Sequence, residues 1–216
     1  MRSSDDLFIT GTDTNVGKTV LAATLCAALG RKYWKPVQTG TVEDADRESV
    51  CRYAGLDDEQ TYPESYRFEP PVSPHFAARM AGTRIQLDAI KRPMVDEPLI
   101  IEGAGGVLVP LNEKDLMVDL MRRLGAGVVV ATRTALGTIN HTLLSLHVLR
   151  AAGLRVTGVV MIGAENEENR KAIEHYGDTR VIGWIPVLTA IDRRTLLEVF
   201  DLHFNRAAFD SFQPQP

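Results

Sequence analysis

The chain has 216 residues, 44% of them hydrophobic, and its 24 Lys and Arg against 28 Asp and Glu give a net charge of −4. That length suits one sizeable α/β domain rather than two, and the acidic balance argues against nucleic acid or an anionic membrane as partner. No apolar run reaches the ~20 residues that cross a bilayer, and residues 1–6 are too polar for a signal peptide. Two cysteines, Cys26 and Cys51, make no disulfide framework, so a cytoplasmic protein is expected.

The first element is a short apolar strand, Leu7-Phe8-Ile9-Thr10, followed by Gly11-Thr12-Asp13-Thr14-Asn15-Val16-Gly17-Lys18-Thr19 and a helix entered at Val20-Leu21-Ala22. A strand, a Gly-bearing turn and a helix opening on Gly-Lys-Thr form a phosphate cradle, with backbone N–H groups and the helix dipole aimed at polyphosphate. Lys18 reaches the β and γ phosphates in that pattern, and the Thr19 hydroxyl holds Mg²⁺. The strict pattern places its first glycine at position 12; here that residue is Thr12, and Gly11 stands one earlier.

Tyr33-Trp34-Lys35-Pro36-Val37 reads as the second strand, and a polar helix follows near Asp46–Ala54. An irregular stretch then carries Pro63, Pro70, Pro71 and Pro74, with Pro93 nearby. Leu99-Ile100-Ile101-Glu102 is a strand entering a Gly103-Ala104-Gly105-Gly106 turn. Val128–Ala131, a helix from about Asn140 to Ala152, strands Val156–Ile162 and Val181–Ile185, and a helix around Arg193–Phe200 complete the series, before a tail over Ser211–Pro216. Short continuous apolar runs alternating with helices predict a parallel sheet covered on both faces, with ligands at the carboxyl ends of its strands. The expected fold is therefore α/β, a P-loop NTPase-type sheet in one domain spanning residues 1–216.

Lys35, Asp46 and Glu102 join the phosphate loop at those strand ends. Mg²⁺ prefers oxygen ligands, taking one or two carboxylates beside phosphate oxygens, and Thr19, Asp46 and Glu102 supply such a set. Glu43 and Asp44 lie close in sequence, so which acid there holds the metal stays open.

Five separated motifs together resemble the dethiobiotin synthetase family, P-loop proteins related to the MinD/ParA group. These are Gly11–Thr14 with Val16–Thr19, Lys35-Pro36-Val37 with Thr39-Gly40, Glu102–Gly106 with Pro110-Leu111, Leu136–His141, and Gly183-Trp184-Ile185-Pro186. The resemblance implies ATP as co-substrate with Mg²⁺, and 7,8-diaminononanoate and CO₂ as the substrates converted to dethiobiotin, ADP and phosphate. It implies catalytic roles for Lys18 and Lys35. The implied ATP site comprises Thr14, Asn15, Val16, Gly17, Lys18, Thr19, Asp46, Glu102, Gly103, Ala104, Gly105, Ile162, Gly163, Pro186, Val187 and Leu188. Substrate contacts fall to Thr39, Gly105, Gly106, Thr138, Ile139 and Asn140, the last three across the interface of a homodimer.

Two positions depart from the family. Asn15 stands where some members carry an acid, and Ile162 where Asn commonly reads the adenine edge, so weaker base discrimination is expected. Two related classes fit less well. A MinD/ParA-type switch ATPase carries an extra lysine early in the loop, which residues 12–15 lack, and a cobyrinate-type amidotransferase adds a glutaminase domain for which 216 residues leave no room.

Overall fold

The computed structural model describes residues 5–41 and 45–209. Seven parallel strands form the main sheet: β1 Leu7–Gly11, β2 Lys32–Trp34, β4 Thr61–Tyr62, β6 Leu99–Gly106, β7 Gly127–Arg133, β8 Val156–Ile162 and β9 Val181–Ile185. Their spatial order is β4-β2-β6-β1-β7-β8-β9. A separate parallel pair joins β3 Val37–Thr39 to β5 Tyr66–Phe68. The helices are α1 Lys18–Leu29, α2 Asp46–Ala54, α3 Pro74–Met80, α4 Met117–Leu124, α5 Thr138–Ala151, α6 Glu167–Gly177 and α7 Arg193–His203.

Strand alternation builds two cores. Leu7 and Ile9 of β1 point to the face covered by α1, α2 and α7, where Leu21, Leu25, Leu196 and Phe200 pack. Phe8 points to the opposite face, with Trp34, Ile101, Met121, Leu146 and Ile173, under α3 to α6. Burial on both faces is why these strands read as unbroken apolar runs.

Three expectations need correcting. The single strand 33–37 is two, because Pro36 has no N–H for the ladder and constrains Lys35, so the chain leaves the main sheet after Trp34 and pairs β3 elsewhere. The proline-rich stretch holds β4, β5 and α3, with Pro74 at the first helical position, where its missing N–H has no helical partner to lose. The glycine segment after Glu102 is not a turn: β6 continues to Gly106, which pairs with Gly11, and Glu102 sits mid-strand opposite Ile9. Glu43, Asp44 and the 211–216 tail fall outside the described residues. Among the described residues no helix is long and apolar enough to cross a membrane.

Candidate active site

The phosphate loop bridges β1 and α1. Gly17 caps α1 in the left-handed region, φ 96°, and a Cβ there would lie 2.9 Å from Ile162 Cδ1. A Cβ on Gly11 would approach Asp13 O to 2.6 Å, Val16 Cγ2 to 2.8 Å and Lys18 Nζ to 3.1 Å. The displaced glycine thus stands where the returning loop crosses its own strand, which is why position 12 tolerates threonine. Lys18 folds back so that Nζ donates to Asp13 O at 3.1 Å, and the side chain is buried. Burial pushes its ammonium down from the usual lysine range; the charge of Lys35 adds to this, against pulls from Glu102 and Asp46. Arg133, at the end of β7, donates to the carbonyls of Thr14 at 2.9 Å and Asn15 at 3.4 Å, bracing the outside of the loop.

Beside the loop lies a buried charge cluster. Thr19 Oγ1 is 2.8 Å from Asp46 Oδ1 and 3.1 Å from Glu102 Oε1. Cis oxygens around an octahedral Mg²⁺ at its ~2.1 Å bond length are about 3 Å apart, so these two separations match two edges of such a shell. Among the described residues no group of three His, Cys, Asp or Glu gathers as a metal site. A metal here would rest on two carboxylates and a hydroxyl, as a phosphate-borne Mg²⁺ does.

Lys35 Nζ bridges both acids, at 2.6 Å from Asp46 Oδ2 and 3.0 Å from Glu102 Oε1. Glu102 Oε2 accepts from the Tyr33 hydroxyl at 2.9 Å, and the Asp46 N–H donates to Gln38 Oε1 at 3.3 Å. Burial works against the Lys35 ammonium, but Glu102 and Asp46 outweigh it and hold its pKa above the usual lysine range, so it stays charged. Burial also raises the Asp46 carboxyl, while the Lys35 charge and bonds from Lys35, Thr19 and Gln38 bring it below the usual range. A depressed carboxylate contributes stability above its unfolded value of about 3.9, lost as pH falls through the lower folded value. The stability gap between the protein and an Asp46→Asn variant should therefore be full from pH 5 to 7 and narrow below about pH 4. Urea unfolding across that range measures it; a gap that stays constant contradicts this account.

Loop and cluster open into one cavity of about 1140 Å³. Its walls run from Thr14 and Lys18 past Lys35, Thr39 and Asp46 to Gly105, Val109 and Pro110, then to His141 and Ser145 on α5.

The family profile described as an AAA domain matches residues 5–195. The ATP-dependent dethiobiotin synthetase of Rhodopseudomonas palustris (strain HaA2) is 45% identical over 203 residues, covering 94% of this chain and 95% of that protein. That of Paramagnetospirillum magneticum (strain AMB-1) is 48% identical over 190 residues, 88% of this chain and 92% of that one. The chain belongs to the dethiobiotin synthetase family. Among solved structures, a chain of the MinC:MinD cell division protein complex of Aquifex aeolicus aligns with a TM-score of 0.55 at 14% identity, covering 97% of this chain and 98% of that one. A ParA family ATPase from Chlorobium tepidum aligns at 0.53 and 12%, covering 94% and 100%. At such identities these two share the fold alone.

For a dethiobiotin synthetase, the residues named from sequence divide by location. Thr14, Asn15, Gly17, Lys18, Thr19, Asp46, Glu102, Ala104, Gly105, Gly106, Thr39 and Lys35 line the cavity. Val16 is buried beneath the loop, and Gly103 packs against Phe8, where a Cβ would come within 2.7 Å of the ring. Ile162 sits against Gly17 at the end of β8, and Gly163 follows, its carbonyl accepting from Trp184 Nε1 at 2.9 Å. Pro186, Val187 and Leu188 follow β9, with Val187 exposed and Leu188 half-buried on the α1 face. Thr138, Ile139 and Asn140 lie outside this cavity; Thr138 is buried against Thr132, and Asn140 lines a second cleft with His147 and Tyr176.

Sequence reasoning missed Tyr33, Gln38 and Arg133. The signal for Tyr33 was register: in β2 it pairs with Ile100, so Glu102 is the next residue on that face of β6.

Proposed function

We propose that this chain is a dethiobiotin synthetase acting on 7,8-diaminononanoate, CO₂ and ATP. One amine takes up CO₂ as a carbamate, releasing a proton. A carbamate oxygen attacks the γ-phosphorus of ATP, the bond to the β-bridging oxygen breaks, and ADP leaves a carbamic–phosphoric anhydride. The second amine then attacks the carbonyl carbon, closing the ureido ring; the C–O bond breaks, phosphate departs and the amine proton goes to solvent. No protein nucleophile enters, so catalysis is positioning and charge stabilisation.

The observation carrying this reading is the single cavity that joins the phosphate loop to the Gly105–Pro110 wall and α5, with two buried lysines at the junction. Lys18 binds the β and γ oxygens, and Lys35 faces the carbamate and the transferring phosphoryl group. Thr14 and Thr39 offer hydroxyls along the phosphate and carbamate path. Thr19, Asp46 and Glu102 would hold Mg²⁺, which would supply positive charge to the triphosphate. Gly105 and Gly106 let backbone approach the diamine, Gly105 with φ +69°. Phosphate release that requires both diaminononanoate and bicarbonate supports the reading. Release that depends on neither would point to a switch ATPase.

The reading places the enzyme in the cytoplasm as a homodimer, with Thr138, Ile139 and Asn140 receiving the carboxylate of substrate bound to the partner subunit. At the N-terminus of α5 the Thr138 N–H already donates to Ala135 O at 3.2 Å, which leaves the N–H groups of Ile139 and Asn140 to meet that anion, and Leu136 beside them is fully exposed. Sedimentation should show a dimer at assay concentrations; a fully active monomer contradicts it. Ile162 presents only aliphatic surface to the base, so CTP and GTP are expected to compete with ATP within about tenfold, lacking the few kcal/mol that a paired amide edge provides. A strong preference for ATP in competition assays would overturn that expectation.

A further inference from the structure

We infer that Tyr33 is a positioning residue that sets the orientation of Glu102 for metal binding, an inference that rests on Thr19, Asp46 and Glu102 holding Mg²⁺. Glu102 is only 1% exposed, so the partners of its two oxygens determine where it points. Oε1 faces the cavity side, 3.1 Å from Thr19 Oγ1 and 3.0 Å from Lys35 Nζ. Oε2 faces inward and accepts from the Tyr33 hydroxyl at 2.9 Å. The terminal torsion of a glutamate is broad and roughly two-fold, so the side chain's own rotamer preference does not fix the carboxylate plane. The phenol does, by tethering the far oxygen to a ring that is itself completely buried in the core beneath α1 and α2.

The register supplies the reach. Tyr33 pairs with Ile100 across the β2–β6 ladder, which puts Glu102 one side-chain repeat further along the same face. A phenol spans that diagonal, and no backbone group of β6 needs to move. Tyr33 does not itself line the cavity, and its hydroxyl bonds to Glu102, so its contribution to the site passes through that carboxylate. Partners of this kind hold a metal ligand in its binding orientation, and their loss typically weakens metal affinity about 10- to 100-fold.

Tyr33→Phe keeps the ring and removes only the donor. The test measures Mn²⁺ affinity of the ADP complex by electron paramagnetic resonance in the full chain, for Tyr33→Phe, Glu102→Gln and the double variant, and ADP affinity without metal by calorimetry. Tyr33→Phe should weaken Mn²⁺ binding about tenfold while metal-free ADP affinity stays unchanged. Glu102→Gln should weaken Mn²⁺ binding at least as much, and adding Tyr33→Phe to it should change little further. Unaltered Mn²⁺ affinity in Tyr33→Phe, with Glu102→Gln weakened, overturns the inference and leaves the metal reading standing. An equal loss of metal-free ADP binding in Tyr33→Phe also overturns it, because that is general loosening of the site. Unaltered Mn²⁺ affinity in Glu102→Gln overturns the metal reading and this inference together.

Discussion

Lys35→Ala should lower kcat about a thousandfold, the scale seen when a preorganised charge partner is removed from a water-poor site. Lys35 is 4% exposed and bridges Asp46 and Glu102 while lining the cavity between phosphate loop and Gly105. In the proposed reaction it is the ammonium that faces both the carbamate and the phosphoryl group as charge passes between them. The same geometry adds a second effect. Removing the cation leaves two carboxylates together, one of them fully buried, which destabilises the ligand-free protein by about 3 kcal/mol, the lower end for a broken buried pair because Asp46 keeps some solvent. MgADP should recover part of that loss, since a bound metal would return positive charge beside the same two carboxylates. Steady-state kinetics with thermal melts, with and without MgADP, measure both effects. Near-normal turnover in the variant would remove Lys35 from the reaction.

Lys18→Met should act with opposite signs on stability and binding. The Lys18 ammonium is buried with Asp13 O as its hydrogen-bond acceptor, and burial lowers its pKa. A lysine whose folded pKa lies below its unfolded one holds its proton less tightly in the native state. Stability is therefore reduced at neutral pH and rises as pH climbs toward the unfolded value near 10.4. Methionine keeps the stem without the charge, so the ligand-free melting temperature should rise by about 3 °C, on the order of 1 kcal/mol for a chain of this length. Triphosphate affinity should fall about a hundredfold, the loss of charge-assisted bonds of about 1.5–3 kcal/mol. Melting curves with and without ATP test both signs at once. A variant less stable than the parent without ligand would mean that Lys18 is a structural cation.

Much of this was legible from one dimension because the signals were local. The phosphate loop, the apolar strand runs other than 33–37 and the helix opening at Asp46 each lie within a few residues, and each stands where expected. The sequence misled where a contact decided the outcome. Glu102 reads as a strand end because glycines follow it, yet Gly106 pairs with Gly11 and carries β6 on past the acid. α6 is absent from the sequence reading because its outer face is Glu, Asn, Arg and Lys, with Ile173 the buried apolar anchor. Tyr33, Gln38 and Arg133 act on groups 69, 8 and 119 residues away, through register and loop crossing, and no local pattern marks them.

The most direct test follows the oxygen atoms of CO₂. In a single turnover with ¹⁸O-labelled CO₂, carbamate attack on the γ-phosphorus and later C–O cleavage move a labelled oxygen into inorganic phosphate and leave the other in the ureido carbonyl. One labelled oxygen in phosphate per dethiobiotin formed is the expected result. Dethiobiotin accompanied by unlabelled phosphate would mean that water, not carbamate, meets the phosphorus, and that the two halves of the cavity do not share one reaction.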